Sequence, residues 1–150
     1  MTIKEIKYAD YVSSFIGIPY RWNSWDRGIG LDCRTLTVRF LKGIGYDIDG
    51  SDGLDIPSDE ELAEIKKDAS RMSELRERYT LGVKETGEVI EVGSIKPNDI
   101  VMYETMELPH IGVYIGGGKL LVAAEKHKSM LIRLSSVKGA IITIVRVGRR

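Results

Sequence analysis

The hydrophobic pattern changes its period near residue 83, and this change constrains the fold more than any other feature. Before it, apolar residues recur every three or four positions, which is typical of amphipathic helices. After it, short apolar runs are separated by turn residues, which is typical of strands. Helices followed by strands favour an α+β fold with an antiparallel sheet of about five strands. Helices are predicted at residues 3–16, 32–43 and 58–79, and strands at residues 89–92, 100–103, 110–115, 119–124, 130–134 and 141–147.

One stretch, residues 47–82, lacks the pattern of a core element. Its first part is acidic and rich in glycine, and its helix carries a single narrow apolar stripe on an otherwise charged surface. A chain of 150 residues is the size of one domain that buries its own core. We therefore expect a single domain over residues 1–150. Within it, residues 47–82 form an inserted arm that lies over the domain or against a partner. This arm serves docking or gating rather than the core, so a short linker could replace it.

The charge balance disfavours nucleic acid as a partner, because 22 Lys+Arg cancel 22 Asp+Glu. No apolar run reaches the roughly 18–20 residues of a membrane span, so no membrane partner is expected. Charged residues also interrupt the first ten positions, where a signal peptide needs an apolar stretch. We expect a protein made in the cytoplasm without a signal peptide. Residues 101–150 hold eight basic and three acidic side chains, which form either a solvated face or a docking surface for an acidic partner.

The single cysteine, Cys33, is the main candidate for a reactive group. One cysteine excludes an internal disulfide and a multi-cysteine zinc site. Asp32 is a favourable N-cap residue, so Cys33 falls in the first turn of a helix. Backbone N–H groups and the helix dipole stabilise a thiolate at that position. This environment predicts a nucleophile, and the alternative is a small buried apolar side chain.

A cysteine nucleophile needs a base, and the chain offers two histidines. His110 opens a predicted strand, from which its side chain can face a helix end. His127 lies in the polar run EKHK, which is typical of a solvated turn. His110 is therefore the candidate base, and spacing alone leaves open that Cys33 and His110 are unrelated. Ligand pairs at short spacing are missing from the sequence, so neither a metal nor a cofactor is expected.

Three large rings, Tyr20, Trp22 and Trp25, stand in a loop rich in turn residues. Such rings form either the wall of a binding site or a cap on the edge of the core. The sequence pattern leaves both interpretations open.

Four blocks of the sequence resemble the NlpC-type cysteine peptidases, which cleave the stem peptides of bacterial cell walls. Their order and spacing match the family over most of the chain. Residues 134–136 and 142–146, together with the arm, are similar to versions encoded in phage tail operons. The four blocks are IGIPYRW at residues 16–22, GLDC at 30–33, KPNDIV at 96–101 and HIGVYIGGGK at 110–119.

The resemblance implies a papain-like fold, in which Cys33 heads a helix packed on the sheet and His110 comes from the sheet. Cys33 would attack a peptide or isopeptide carbonyl next to D-glutamate, and water would hydrolyse the resulting thioester. The implied partners are a peptidoglycan stem peptide and, in a virion, phage tail proteins. The substrate contacts that we expect are Tyr20, Asp32, Trp22 and Arg34.

Two positions depart from the family pattern. Arg34 and Thr35 follow the cysteine where the family commonly has Ser-Gly, which places a bulky cation beside the nucleophile. The third catalytic position, usually a histidine, falls on Val122, which cannot accept the imidazole N–H. If the strand continues past Val122, alternation turns Glu125 away from the cleft. Two hypotheses follow: an active cysteine hydrolase, or a weak or inactive tail-tip subunit that keeps the fold.

Overall fold

The computed structural model describes residues 2–48, 56–106 and 108–149. Within these residues the chain has the predicted α+β order, with four α-helices followed by six strands. The helices are α1 (Ile3–Ser13), α2 (Cys33–Gly43), α3 (Asp59–Ile65) and α4 (Ala69–Lys84). The strands are β1 (Gly87–Ile90), β2 (Ile100–Tyr103), β3 (His110–Gly116), β4 (Lys119–Val122), β5 (Met130–Arg133) and β6 (Ile141–Val147).

The six strands form one antiparallel sheet in the order β1-β6-β2-β3-β4-β5. β2 to β5 are neighbours in chain order, and β6 returns to lie between β1 and β2. This order places β2 and β3 in the middle of the sheet, with Tyr103 paired opposite His110.

Apolar residues cover both faces of the sheet. In β2, Ile100 and Met102 belong to the main core, which the helices cover. The alternate residues Val101 and Tyr103 belong to a smaller apolar cluster on the other face. α2 packs against β3 and β4. The helix that begins at Cys33 therefore contacts the strand that begins at His110.

The predicted elements occur with shifted ends. α1 stops three residues early, because the N–H groups of Phe15 and Ile16 bond to carbonyls three residues back and tighten the turn. β1 begins at Gly87, where a Cβ would lie 2.2 Å from the carbonyl oxygen of Arg146 on β6. β4 ends at Val122, two residues before its predicted end, and strand alternation ends there with it.

The predicted helix over residues 58–79 is two helices, because the chain turns between Ile65 and Ala69. Asp68 caps the second helix, and its carboxylate accepts hydrogen bonds from the N–H groups of Ser70 and Arg71. The glycine-rich residues 49–55 of the predicted arm lie outside the described residues.

The expectation that the arm lies outside the core is wrong for α4. Leu75, Tyr79 and Val83 follow one another at four-residue intervals and are buried in the main core. α4 also packs against β1 and β6. The narrow apolar stripe is thus a core contact, and a flexible linker in place of this helix would uncover the sheet.

Candidate active site

Cys33 is the first residue of α2, as the sequence predicts. The Asp32 side chain accepts the N–H of Thr35, and the Thr35 hydroxyl accepts the N–H of Asp32. The Cys33 side chain is 8% exposed. Its Sγ accepts a hydrogen bond from the backbone N–H of Ile111 and is hydrogen-bonded to the Tyr79 hydroxyl. The cysteine is therefore held by its own helix, by β3 and by α4.

The charge state of Cys33 differs from the expectation. Burial, reinforced by the negative charge of Asp32, raises the pKa of the thiol to about 12. Ile111, Arg34 and Tyr79 act in the opposite direction without offsetting the burial. This burial opposes the predicted stabilisation of the thiolate by the helix N-terminus, and the raised pKa favours the neutral thiol.

This raised pKa predicts how Cys33 reacts with iodoacetamide. Only the thiolate reacts, so the rate for the folded protein should rise about tenfold per unit between roughly pH 7 and 10 without levelling off. In urea, the rate should level off above the unperturbed thiol pKa of about 8.5. Mass spectrometry of the alkylated protein measures both rates. A folded protein whose rate levels off below about pH 8 would contradict a buried neutral thiol.

His110 is the first residue of β3 and lines the same cleft as Cys33. The next residue, Ile111, carries the N–H that bonds to Cys33 Sγ. The His110 ring meets Tyr103 edge-on, with 5.9 Å between the ring centroids. The cleft holds about 90 Å³ of free volume. The structure thus brings Cys33 and His110 together, whereas His127 is exposed in the turn after β4.

Asp32 is fully buried and caps α2. Its Oδ1 accepts the N–H of Thr35 at 2.8 Å, and its Oδ2 accepts the N–H of Asn23 at 2.6 Å. The predicted capping role is confirmed, and the second bond ties the aromatic loop to the helix. Asp32 also lines the cleft, and its contact with substrate stays a prediction.

The aromatic loop forms one wall of the cleft through Tyr20 and Trp22. The Trp22 Nε1–H donates to the carbonyl of Pro57 at 2.8 Å, which joins the loop to the residues before α3. Burial raises the pKa of Tyr20, so its hydroxyl stays protonated and can donate a hydrogen bond. These contacts favour the binding-wall interpretation for both residues.

Arg34 is buried and lines the cleft beside Cys33. Its Nη2 donates to Asn23 Oδ1 at 2.7 Å, and its guanidinium lies 4.9 Å from the centroid of the Trp25 ring. The loop therefore fixes this cation in place. Trp25 contributes by stacking on the Arg34 guanidinium.

Val122 is 3% exposed and belongs to the smaller apolar cluster, with Leu120 and Tyr103. It packs over Gly112, where a Cβ would lie 2.7 Å from Val122 Cγ1. Gly112 is two residues beyond His110 and so shares its side of β3. The residue at the family's third position is thus near the histidine, and it offers no polar atom to orient the imidazole.

Several cleft residues were not predicted from the sequence. Asp59, Leu62 and Lys66 line it from α3 and its C-terminal end, and Tyr79 lines it from α4. No sequence signal indicated that Tyr79 faces the cysteine. Glu125 also lines the cleft. The strand alternation that would turn Glu125 away from the cleft does not apply, because β4 ends at Val122.

A cysteine that begins a helix and shares a cleft with a histidine from an antiparallel sheet defines the papain-like class of folds. The chain belongs to the NlpC/P60 family, whose sequence model matches residues 17–147.

Several known proteins are similar to this chain. The gamma-D-glutamyl-L-lysine dipeptidyl-peptidase of Bacillus subtilis is 26% identical over 122 residues, which cover 79% of this chain and 31% of the relative. An NlpC/P60 family protein from Bacillus cereus superposes with a TM-score of 0.62 at 16% identity, over 93% of this chain and 38% of that chain. The peptidoglycan hydrolase RipB from Mycobacterium tuberculosis gives a TM-score of 0.55 at 19% identity, over 100% and 70%. This chain therefore spans about a third of the curated relative.

Across residues 2–48, 56–106 and 108–149, no three His, Cys, Asp or Glu side chains cluster as metal ligands would. In this same part of the chain, no helix combines the length and apolar character needed to cross a bilayer.

Proposed function

We propose that this protein is a cysteine peptidase that cleaves peptidoglycan stem peptides, with Cys33 as nucleophile and His110 as general base. The observation that carries the proposal is the shared cleft, which is lined by the first residue of α2 and the first residue of β3. The family match and the activity named for the Bacillus subtilis relative support the same chemistry.

The neutral thiol determines the order of proton transfer. His110 takes the proton from Cys33 Sγ as the sulfur attacks the carbonyl carbon, and the carbonyl electron pair moves to oxygen. When the C–N bond breaks, His110 returns the proton to the leaving amine and a thioester remains. Water, deprotonated by His110, then releases the new carboxylate and restores the thiol.

The cleft offers groups that suit a γ-linked D-glutamate. A γ linkage leaves the α-carboxylate of that residue free, and Arg34 places a buried cation beside Cys33. Tyr20 adds a hydroxyl donor, and Trp22 adds an apolar ring. We therefore place the scissile bond at the γ-carbonyl of D-glutamate.

Two synthetic peptides test this substrate. L-Ala-γ-D-Glu-L-Lys should be cleaved to release free lysine. A control peptide of the same composition with α-linked L-glutamate should not be cleaved. Chromatography of the released amino acid measures both. Equal cleavage of the two peptides would contradict recognition of the γ linkage, and cleavage of neither by the folded protein would contradict the proposed substrate.

Val122→His is expected to raise Cys33-dependent turnover at least about tenfold, equivalent to ~1.4 kcal/mol of barrier. The new imidazole would replace the Val122 side chain that packs over Gly112 and would supply a polar atom to orient the ring of His110. Peptide hydrolysis by variants with wild-type circular dichroism measures the effect. Val122→Ala is the control, because it removes bulk without adding a polar atom. A folded Val122→His with unchanged or lower turnover would show that another group, such as Glu125, orients His110.

A second candidate function is a weakly active or inactive subunit of a phage tail tip, which Val122 favours. Delivery by a phage tail is also compatible with the active enzyme. Mass spectrometry of purified virions of a phage that encodes this chain tests the location. The chain should be present in the virion at the copy number of tail-tip proteins. Detection in infected-cell extract but not in virions would contradict it.

A further inference from the structure

Tyr79 is a buried polar residue of the cleft lining to which the proposed mechanism gives no role. Its side chain is 2% exposed and is the largest of the fully buried side chains among the described residues. Leu75 and Val83, one helical turn away on each side, are also buried. The core therefore fixes the position of the phenol on α4, a helix that carries none of the four family-like blocks.

The Tyr79 hydroxyl is hydrogen-bonded to Cys33 Sγ, and both residues line the cleft with His110. Burial raises the pKa of Tyr79 well above its usual value, so the phenol keeps its proton. A protonated phenol donates to the sulfur, and this bond acts to lower the pKa of Cys33 against the effect of burial. The donor is thus in place before substrate binds.

We propose that Tyr79 is a catalytic residue whose O–H orients Cys33 Sγ and stabilises the negative charge that develops on the sulfur as its proton passes to His110. The proton of the thiol passes to His110, the new bond joins Sγ to the electrophilic carbon, and Tyr79 keeps its own proton throughout. A fixed donor beside a buried sulfur is more effective than a donor in solution.

The inference rests on the proposed function only in taking a peptide carbonyl as the electrophile that Cys33 attacks. Donation to Sγ applies equally to a peptide carbonyl and to iodoacetamide. It also explains why α4 belongs to the core, because a loosely attached helix could not hold a phenol against the sulfur. Val122 cannot orient the imidazole of His110, whereas α4, through Tyr79, fixes Cys33, the other member of the pair.

Tyr79→Phe tests the proposal, since it keeps the ring and removes only the hydroxyl. Alkylation of Cys33 by iodoacetamide between roughly pH 7 and 10 should be at least about tenfold slower than in wild type at each pH. Tyr11→Phe is the matched control. The Tyr11 hydroxyl donates to the carbonyl of Phe40 at 2.6 Å, and its ring packs against the same core. This control should keep the wild-type rate at every pH.

Alkylation of folded Tyr79→Phe at the wild-type rate, or faster, would overturn the proposal. If Tyr79→Phe does not fold, 3-fluorotyrosine placed at position 79 keeps the shape and strengthens the donor. It should then raise the alkylation rate, and an unchanged or lower rate would overturn the proposal. If Tyr79→Phe is alkylated more slowly but the wild-type protein does not cleave the peptide, the proposed function alone is refuted. If the wild-type protein cleaves the peptide but Tyr79→Phe is alkylated at the wild-type rate, this inference alone is refuted.

Discussion

Cys33→Ala and His110→Ala are each expected to lower turnover of the γ-linked peptide at least about a thousandfold, because each removes a group without which the pair cannot act. Both variants should still melt cooperatively. Cys33 has little bulk to lose, and His110 lines the cleft, is only partly buried and is not a member of the core cluster. Initial rates of lysine release, with thermal melts on the same preparations, measure both expectations.

His127→Ala is the matched control for His110→Ala, because His127 is exposed in the turn after β4. It should retain wild-type turnover. Full activity in Cys33→Ala would refute the nucleophile, and equal losses in the two histidine variants would refute His110 as the specific base.

Leu75→Ala is expected to lower the free energy of unfolding by about 2–5 kcal/mol, the usual range for truncating a buried leucine. Leu75 is 3% exposed on the face of α4 that joins the main core. Leu81 lies on the same helix and is 57% exposed, so Leu81→Ala should change stability by at most about 0.5 kcal/mol. Urea denaturation of the three proteins measures the difference.

The pair of substitutions distinguishes a core helix from a loosely attached arm. Equal, small effects of Leu75→Ala and Leu81→Ala would show that α4 contributes little to the core. A cooperative, compact protein after replacement of residues 56–84 by a short Gly/Ser linker would show the same.

The sheet and α2 could be predicted because their signals are local. A short apolar run marks β2, alternation marks β3, and Asp32 marks the start of α2 by its capping chemistry. The candidate pair of Cys33 and His110 followed from the same local signals together with the family resemblance. Pairing order could not be predicted in this way, since the return of β6 between β1 and β2 depends on contacts between distant segments.

The surroundings of the site were harder to predict than the residues that form it. The helix N-terminus favours a thiolate, but the burial that raises the pKa of Cys33 comes from residues far away in sequence. Tyr79 illustrates the same limit. The apolar stripe of the sequence analysis did not include Tyr79, and only the packing of α4 on the sheet places its hydroxyl at the sulfur.

Cleavage of peptidoglycan by Cys33 can be tested by digesting purified cell-wall sacculi with wild type and with Cys33→Ala, followed by mass analysis of the soluble fragments. We expect a fragment that ends at the γ-carboxylate of D-glutamate with wild type and its absence with Cys33→Ala. The same fragment from both proteins, or no new fragment from folded wild type, would contradict it.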